Sequence, residues 1–262
     1  DDILIYGSSK EEHDQLLNEV LKRLDKAGFS IKAEKCVFGA DSVEYLGHNI
    51  SKEGIKPKIK LQKAIEEAPR PQDKEGLKSF LGLAEYMAKY IHNFAEISSC
   101  LWNVLKKNEP FVWSEDCELA FETIRTAIAS APHLGCFDPK RKTIVTTDAS
   151  NCGIGATLSQ VHEGKEVIIA FASRCLKAAE KNYSAIEKEA LACFWGITRF
   201  KFFLWGLPFI LKTDHRPLTF IFSIKGSNCS TPRISKWRLG LENFNFKIEY
   251  VPGKKNIIAD YL

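Results

Sequence analysis

A mixed α/β fold is predicted by three features of the sequence. β-Branched and apolar runs at 143–147 and 209–213 lead directly into an aspartate, which is typical of strands that end at a polar edge. Residues 182–204 are apolar around most of the helical circumference, which indicates a largely buried helix. Strands before and after a buried helix favour an α/β domain that begins near residue 143.

Weaker patterns divide the rest of the chain into short elements. Gly28 is placed to end the first helix, Ser114 to begin a later one, and Pro132 to stop it. Further strands are predicted at 3–6, 30–31, 36–38, 43–50, 153–158, 167–172 and 246–251. Further helices are predicted at 11–27, within 57–107 on both sides of a break at 69–71, and at 114–132, 215–222 and 232–241.

The composition limits the class of protein. The 262 residues are 45% hydrophobic and 27% charged, as in an ordinary globular protein with one large or two modest domains. The net charge of +4 permits a nucleic-acid partner without demonstrating one. The eight cysteines form no CxxC pair, so we expect no zinc–thiolate site and a reducing, intracellular setting. We see no signal peptide and no apolar run near the roughly 20 residues of a membrane span.

Four acidic positions in the last third of the chain suit metal ligands. Asp148 and Asp214 end predicted strands, Glu189 lies in the most apolar helix, and Asp260 follows an apolar tripeptide. Carboxylates beside a buried helix are costly unless something compensates, because desolvation opposes the charged form. Divalent cations such as Mg²⁺ or Mn²⁺ compensate in this way, and two of them can clamp a scissile phosphate.

Each of these acids also has a purely structural interpretation. An aspartate at the end of a strand commonly forms a turn or caps a helix, and Asp214 is placed to cap the helix that follows it. Within the apolar helix, spacing alone leaves Glu187 and Glu189 equally eligible, since both have mostly apolar helical neighbours.

Four motifs occur in order through this region. They are TDAS at 147–150 with GIGA at 153–156, EKEALA at 187–192, TDHRPL at 213–218, and VPGK at 251–254 with ADYL at 259–262. Together they resemble the ribonuclease H domain of gypsy-type LTR-retrotransposon Pol polyproteins. The resemblance implies a ribonuclease H-like mixed sheet with flanking helices. It also implies a catalytic, metal-binding set of Asp148, Glu189, Asp214 and Asp260, with Glu187 as an acid on the helix surface.

The first half of the chain resembles the reverse transcriptase of the same polyproteins. DDILIY at 1–6 is similar to the catalytic pair of a polymerase palm, which implies that Asp1 and Asp2 are a remnant of the polymerase site. YLGH at 45–48 resembles the primer-gripping hairpin, and SFLGL at 79–83 with YIHNF at 90–94 resembles the thumb. The implied organisation is a partial palm at 1–57, a helical thumb at 58–108, a connection at 109–142 and a ribonuclease H domain at 143–262.

Three departures from that family shape the expectations. Polymerase chemistry there needs another aspartate and a nucleotide pocket upstream, so we expect this chain, as a piece of a longer polyprotein, not to polymerise. Met87 and Ala88 stand where the family usually has Tyr-Arg, which removes a basic thumb contact. The usual Ser-Arg after the last leucine is absent, so we expect Asp260 to lie near a frayed end.

Basic residues near the last motif and in the thumb predict contacts with nucleic acid. Residues 225–256 carry seven basic side chains against two acids, with Trp237, Phe244, Phe246 and Tyr250 interleaved, and we expect these aromatic residues to serve the core. Lysine and arginine neutralise phosphates without reading base sequence. The predicted nucleic-acid contacts are Gly47, Lys58, Lys236, Arg238, Lys254 and Lys255.

The resemblance implies metal-dependent endonucleolytic hydrolysis of the RNA strand in RNA–DNA hybrids. Two Mg²⁺ (or Mn²⁺) ions are the expected cofactors, and polymerase activity is expected only in the intact parent. Expected partners are an RNA–DNA hybrid, a primer-template and the rest of the Pol polyprotein, in a cytoplasmic virus-like particle or the nucleus. The alternative is a catalytically inactive nucleic-acid-binding remnant of a decayed or domesticated element. A purely structural thumb-and-connection module does not explain four acids in this order.

Overall fold

The computed structural model describes residues 2–107, 110–223 and 231–252. The strands are β1 (Ser42–Tyr45), β2 (His48–Ser51), β3 (Gly54–Pro57), β4 (Thr143–Ala149), β5 (Gly153–His162), β6 (Lys165–Cys175), β7 (Phe209–Thr213) and β8 (Phe246–Tyr250). The helices are α1 (Lys10–Lys26), α2 (Ile59–Glu66), α3 (Lys74–Tyr86), α4 (Phe94–Ile97), α5 (Ser99–Val104), α6 (Glu115–Ala129), α7 (Ala178–Lys181), α8 (Ala185–Arg199), α9 (Lys201–Leu204), α10 (Arg216–Ile221) and α11 (Pro232–Gly240).

The N-terminal region is a helix followed by a small antiparallel sheet. Ser9 caps α1 by accepting a hydrogen bond from the amide of Glu12, and Gly28 follows its end with a left-handed φ of 76°. None of the residues of α1 is buried. Strands β1, β2 and β3 pair in that order, and Leu46 and Gly47 form the first turn.

Helices α2 to α6 enclose one apolar core, here called the central core. Asp73 and Ser114 begin α3 and α6 by accepting hydrogen bonds from backbone amides in the first turn of each helix. The rings of Phe80 and Phe121 are in contact inside this core, tilted by 49° with centroids 4.6 Å apart. The cluster continues to Ile168 and Phe171 on β6, so the central core packs directly against the second sheet. The thumb-like and connection-like segments therefore share one core with the edge of that sheet.

The second sheet has five strands in the order β6-β5-β4-β7-β8. Strands β6, β5 and β4 are antiparallel neighbours, whereas β4, β7 and β8 are parallel. Parallel strands place their carboxyl ends at the same edge of a sheet. This arrangement brings the ends of β4 and β7 together.

Helix α8 covers one face of this sheet and is largely buried. Its packing is close because Gly196 faces the strands: a Cβ there would lie 2.9 Å from the Cβ of Ala156 and 3.0 Å from Cγ2 of Thr147. Val145, Leu158 and Leu211 are fully buried in the core that lies between this helix and the sheet. The predicted helix over 182–204 is divided, since α8 ends at Arg199 and α9 follows.

Several predicted strands in the N-terminal region are wrong. Residues 3–6, 30–31 and 36–38 form no strand, although 33–35 make one turn of 3₁₀ helix. A strand needs a neighbour to satisfy its backbone hydrogen-bonding groups, and these segments pair with none in the described part of the chain. No helix among the described residues is long and apolar enough to cross a membrane.

Candidate active site

Two of the predicted acids lie side by side at one edge of the five-stranded sheet. Thr147 in β4 is the register partner of Thr213 in the parallel strand β7. The next residue on each strand is therefore Asp148 on one and Asp214 on the other. Neighbouring strands are about 4.8 Å apart, and this spacing places the two carboxylates close together. Both side chains are exposed to solvent.

The third acid is supplied by the helix that covers the sheet. Glu189 lies in the second turn of α8, and the close approach at Gly196 holds this helix against β4 and β5. Carboxylate oxygens of Asp148, Glu189 and Asp214 all lie within 4.8 Å of one another. The structure thus brings together three of the four predicted metal ligands. Asp260, the fourth, lies outside the described residues.

The electrostatics of this acidic cluster, defined as Asp148, Glu189 and Asp214, favour an added cation. Glu189 is only 9% exposed, and its Oε2 atom has no hydrogen-bond partner among the described residues. Burial, followed by repulsion from Asp214 and Asp148, raises the pKa of Glu189 to about 8. Although solvent reaches the Asp148 side chain, partial desolvation by the surrounding protein and then repulsion from Asp214 also raise its pKa. An orphaned buried oxygen among converging carboxylates is the donor set of a hard divalent cation, so these residues fit such an ion.

Glu187 corrects one expectation from the sequence. It is not a surface acid, because it is only 8% exposed. Its Oε2 accepts hydrogen bonds from the amide of Ser184 at 3.1 Å and from the hydroxyl at 3.0 Å, forming the capping box of α8. Its Oε1 pairs with Arg233 at 2.9 Å. Glu187 therefore secures the start of the helix, and this leaves Glu189 as the acid that reaches the cluster.

A small cleft opens beside Asp148, and part of its wall comes from a distant segment of the chain. Asn93, Ala95 and Glu96 line it together with Asp148 and Ser150. The sequence placed residues 90–94 in the thumb, so their position beside the acidic cluster was missed. No local pattern gives such a contact, since it depends on how the central core packs against β5 and β6.

Of the predicted polymerase remnant, only Asp2 lies among the described residues. Asp2 is exposed, and its backbone carbonyl accepts a 3.4 Å hydrogen bond from the Tyr45 hydroxyl. Asp1 lies outside the described residues. Among the described residues, Asp2 belongs to no group of three or more possible metal ligands, in contrast to Asp148.

The predicted nucleic-acid contacts of the hairpin lie close to the thumb. Gly47 has φ 72°, and a Cβ there would lie 2.3 Å from the hydroxyl oxygen of Tyr86. That hydroxyl donates to the carbonyl of Leu46 at 2.5 Å, and the Tyr86 ring stacks on His48 with centroids 5.6 Å apart. Lys58 forms an ion pair with Glu44 at 2.5 Å. Gly47 therefore has a packing role in this structure that does not depend on nucleic acid.

Helix α11 carries two more of the predicted contacts. Lys236 is exposed and Arg238 is half-buried on this helix, which packs on α8. Trp237 packs near Tyr183 and Phe194, with ring centroids 6.1 and 6.5 Å away. Phe246 stacks on Phe209 in the neighbouring strand. Trp237 and Phe246 therefore serve packing, as expected, whereas the expectation is wrong for Tyr250, which is 44% exposed. Lys254 and Lys255 lie outside the described residues.

Two protein families match different parts of the chain. Residues 138–244 match the ribonuclease H-like domain found in reverse transcriptase. Residues 1–50 match the reverse transcriptase (RNA-dependent DNA polymerase) family. Asp148, Glu189 and Asp214 all fall within the first match, and domains of this kind generally use divalent metal ions.

Curated relatives match over the whole chain. It is 36% identical over 262 residues to the retrovirus-related Pol polyprotein from transposon 412 and 37% identical over 275 residues to that from transposon gypsy, both of Drosophila melanogaster. It is 34% identical over 265 residues to the transposon Tf2-3 polyprotein of Schizosaccharomyces pombe. In each comparison all of this chain is covered, but it spans only 21%, 26% and 20% of the respective relative.

Solved structures support the fold. A foamy viral protease–reverse transcriptase in complex with an RNA/DNA hybrid matches 96% of this chain and 35% of its own, at 22% identity and a TM-score of 0.77. A second foamy viral structure, in complex with double-stranded DNA, matches 94% of this chain and 44% of its own, at 21% identity and a TM-score of 0.78. Over its whole length the chain is thus similar to parts of retrovirus-related Pol polyproteins from gypsy-type and other LTR transposons, with a reverse transcriptase match at its start and a ribonuclease H-like match toward its end.

Proposed function

We propose that this chain hydrolyses the RNA strand of RNA–DNA hybrids endonucleolytically, with two Mg²⁺ or Mn²⁺ ions as cofactors. The observation that carries the proposal is the convergence of Asp148, Glu189 and Asp214 within 4.8 Å at the edge of a ribonuclease H-like sheet. A cluster with an orphaned buried oxygen is an expensive arrangement for a structural role alone. This favours a catalytic site over an inactive remnant.

The residues of the cluster have distinct parts in this proposal. Asp148, central in the cluster, would hold both ions, while Glu189 and Asp214 would each hold one, and Asp260 would complete the second position. The bound ions would activate a water molecule and stabilise the leaving oxygen of an in-line displacement at phosphorus. Glu187 and Gly196 position α8, and through it Glu189.

The proposed substrate fits the position of the cluster. The acidic cluster is open to solvent through Asp148 and Asp214, so a duplex can approach the sheet edge. Reverse transcriptases of similar fold have been solved with an RNA/DNA hybrid and with double-stranded DNA. Lys236 and Arg238 are proposed to contact phosphates, with sequence-independent and salt-sensitive affinity. We propose polymerase activity only for the intact parent, inside the cell, where Asp1 and Asp2 would join the rest of the palm.

The direct test is an assay of the purified chain on a hybrid whose RNA and DNA strands carry different labels. With Mg²⁺ or Mn²⁺ we expect loss of the RNA strand alone, and with EDTA no cleavage. Cutting of the DNA strand, or RNA loss that persists in EDTA, would contradict the proposal. An RNA–RNA duplex in parallel reactions separates hybrid-specific cleavage from a contaminating ribonuclease.

A further inference from the structure

We propose that Asn93, supplied by the segment before the ribonuclease H-like sheet, is a substrate-binding residue of the nuclease site and hydrogen-bonds the sugar of the RNA strand. The inference rests on the proposed function above. It concerns a residue about 50 positions upstream of Asp148 and outside the family match at 138–244.

The position of Asn93 is defined by the pairing of β4 with β5. Asp148 and Gly155 are directly opposed in this register, so their side-chain positions lie on the same face of the sheet. A Cβ on Gly155 would lie 2.9 Å from Oδ1 of Asn93. The carboxamide of Asn93 therefore fills the space that a side chain at 155 would take, on the face of the sheet where Asp148 is the register partner. Asn93 and Asp148 line the same cleft.

The segment that carries Asn93 is fastened to the sheet on both sides. The amide of Ala95 donates to Oγ of Ser173 at 2.9 Å, and the thiol of Cys175 donates to the carbonyl of Ala95 at 3.2 Å. The ring of His92 packs edge-on against Phe171 with centroids 5.5 Å apart. These contacts come from β6 and hold the segment at the cleft. The wall beside Asp148 is thus anchored directly to the sheet.

The side chain of Asn93 is not explained by local structure. The residue has φ 51° and ψ 29° and precedes α4, but its side chain makes no capping hydrogen bond to that helix. Within the part of the chain that the structure describes, none of the hydrogen bonds engages its carboxamide. A left-handed backbone requires only glycine or a tolerant residue such as asparagine. The half-exposed amide group is therefore free to bind a ligand in the cleft.

The chemistry of the carboxamide suits a ribose. It offers both a donor and an acceptor, and a 2′-hydroxyl is itself a donor and an acceptor. A deoxyribose at the same position would leave the amide without this partner. Placed beside Asp148, Asn93 would distinguish the RNA strand from DNA near the scissile phosphate, and would do so without adding charge to the acidic cluster.

The test uses Asn93→Gly, which keeps the left-handed backbone and removes only the side chain. Glu163→Gly is the matched control, because Glu163 has φ 50° in the β5–β6 turn at the far end of the sheet. Binding of a labelled hybrid and of the same-sequence DNA duplex is measured by fluorescence anisotropy in EDTA. We expect N93G to lose about 5- to 10-fold in hybrid affinity and nothing in DNA affinity. E163G should leave both affinities unchanged.

Equal hybrid affinity for N93G and wild type, or an equal loss for hybrid and DNA, would overturn the inference. Asn93→Asp is a second variant, since aspartate also tolerates the left-handed region, and we expect it to weaken hybrid binding more because its charge repels phosphate.

Asp148→Asn in the cleavage assay keeps the two proposals apart. If D148N still cleaves while N93G loses hybrid affinity, the catalytic assignment fails and the sugar contact stands. If D148N is inactive while N93G binds the hybrid as wild type does, the catalytic assignment stands and the sugar contact fails.

Discussion

The two ends of the described chain use their apolar residues differently. No side chain in residues 2–42 is buried, and Tyr6, Phe29 and Val37 are each more than 60% exposed. In the second sheet, Val145, Leu158 and Leu211 are completely buried beneath α8. Asp2, in the first of these regions, joins no group of three or more possible metal ligands among the described residues, while Asp148 lies close to two other carboxylates. A motif gives rise to a site only where packing holds its residues together.

The largest expected contrast between these regions is in catalysis. Asp148→Asn removes a charge from the acidic cluster without changing side-chain size, so we expect hybrid cleavage with Mg²⁺ to fall by about 10³-fold. Asp2→Asn, the matched change at the polymerase remnant, should leave cleavage within about twofold of wild type. Initial rates on the labelled hybrid give both values. If D2N were as inactive as D148N, the claim that cleavage depends on Asp148 and not on Asp2 would be wrong.

Substitutions of apolar residues should also destabilise the second sheet more than the N-terminal region. Leu158→Ala empties space in a fully packed core and should lower the free energy of unfolding by about 2–5 kcal/mol. Leu16→Ala on α1 changes a side chain that is 39% exposed, and should cost no more than about 0.5 kcal/mol. Urea denaturation of the two variants measures the difference. Comparable losses would mean that α1 is packed more tightly than its exposure indicates.

Because the pKa of Glu189 is raised, we expect a neutral side chain at this position to stabilise the fold by an amount that depends on pH. In the folded chain without metal this carboxyl ionises near pH 8, whereas in the unfolded chain it ionises near pH 4.5. Wild-type stability therefore falls as the pH rises from 4.5 through 8, and Glu189→Gln escapes that loss. We expect E189Q to exceed wild type by about 1–3 kcal/mol at pH 8 in EDTA. At pH 4.5, wild type and E189Q should be nearly equal in stability, as measured by thermal melts. A stability difference that stays constant with pH would contradict the role given to burial.

A smaller effect is expected where the hairpin meets the thumb. Gly47→Ala strains a left-handed backbone and places its Cβ against the Tyr86 hydroxyl, so we expect a loss of about 1–2 kcal/mol. Tyr86→Phe removes that hydroxyl and the bond to Leu46, and should cost about 1 kcal/mol alone. The double variant should lose less than the sum, because the clash is relieved. Strict additivity in denaturant melts would show that the two residues do not interact.

The sequence predicted the C-terminal half of the molecule better than the N-terminal half, for physical reasons. The run at 209–213 is β7 to the residue, because its apolar side chains are buried against neighbours that the chain itself supplies. The run at 3–6 has similar composition but no pairing partner among the described residues, and it forms no strand. Pattern alone reports what a segment favours, while pairing decides whether the strand forms.

The acidic cluster shows the same division between local and long-range information. Spacing left Glu187 and Glu189 equivalent, and the resemblance favoured Glu189 as the ligand. The structure shows why. Ser184 and Arg233 bind the carboxylate of Glu187, while Glu189 has an oxygen without a partner among the described residues. The sequence motif containing Asn93 did not reveal its position beside Gly155, since that position depends on contacts that join segments about 60–80 residues apart.

The most direct measurement of the central claim, that Asp148, Glu189 and Asp214 form a divalent-metal site, is the melting temperature of the purified chain with and without Mn²⁺. Saturating Mn²⁺ should raise the melting temperature of wild type by about 5 °C or more, because the ion binds only the folded cluster. Asp214→Asn, which keeps the size of the side chain, should lose most of that shift. An equal shift in both proteins would place the bound metal elsewhere and contradict the assignment.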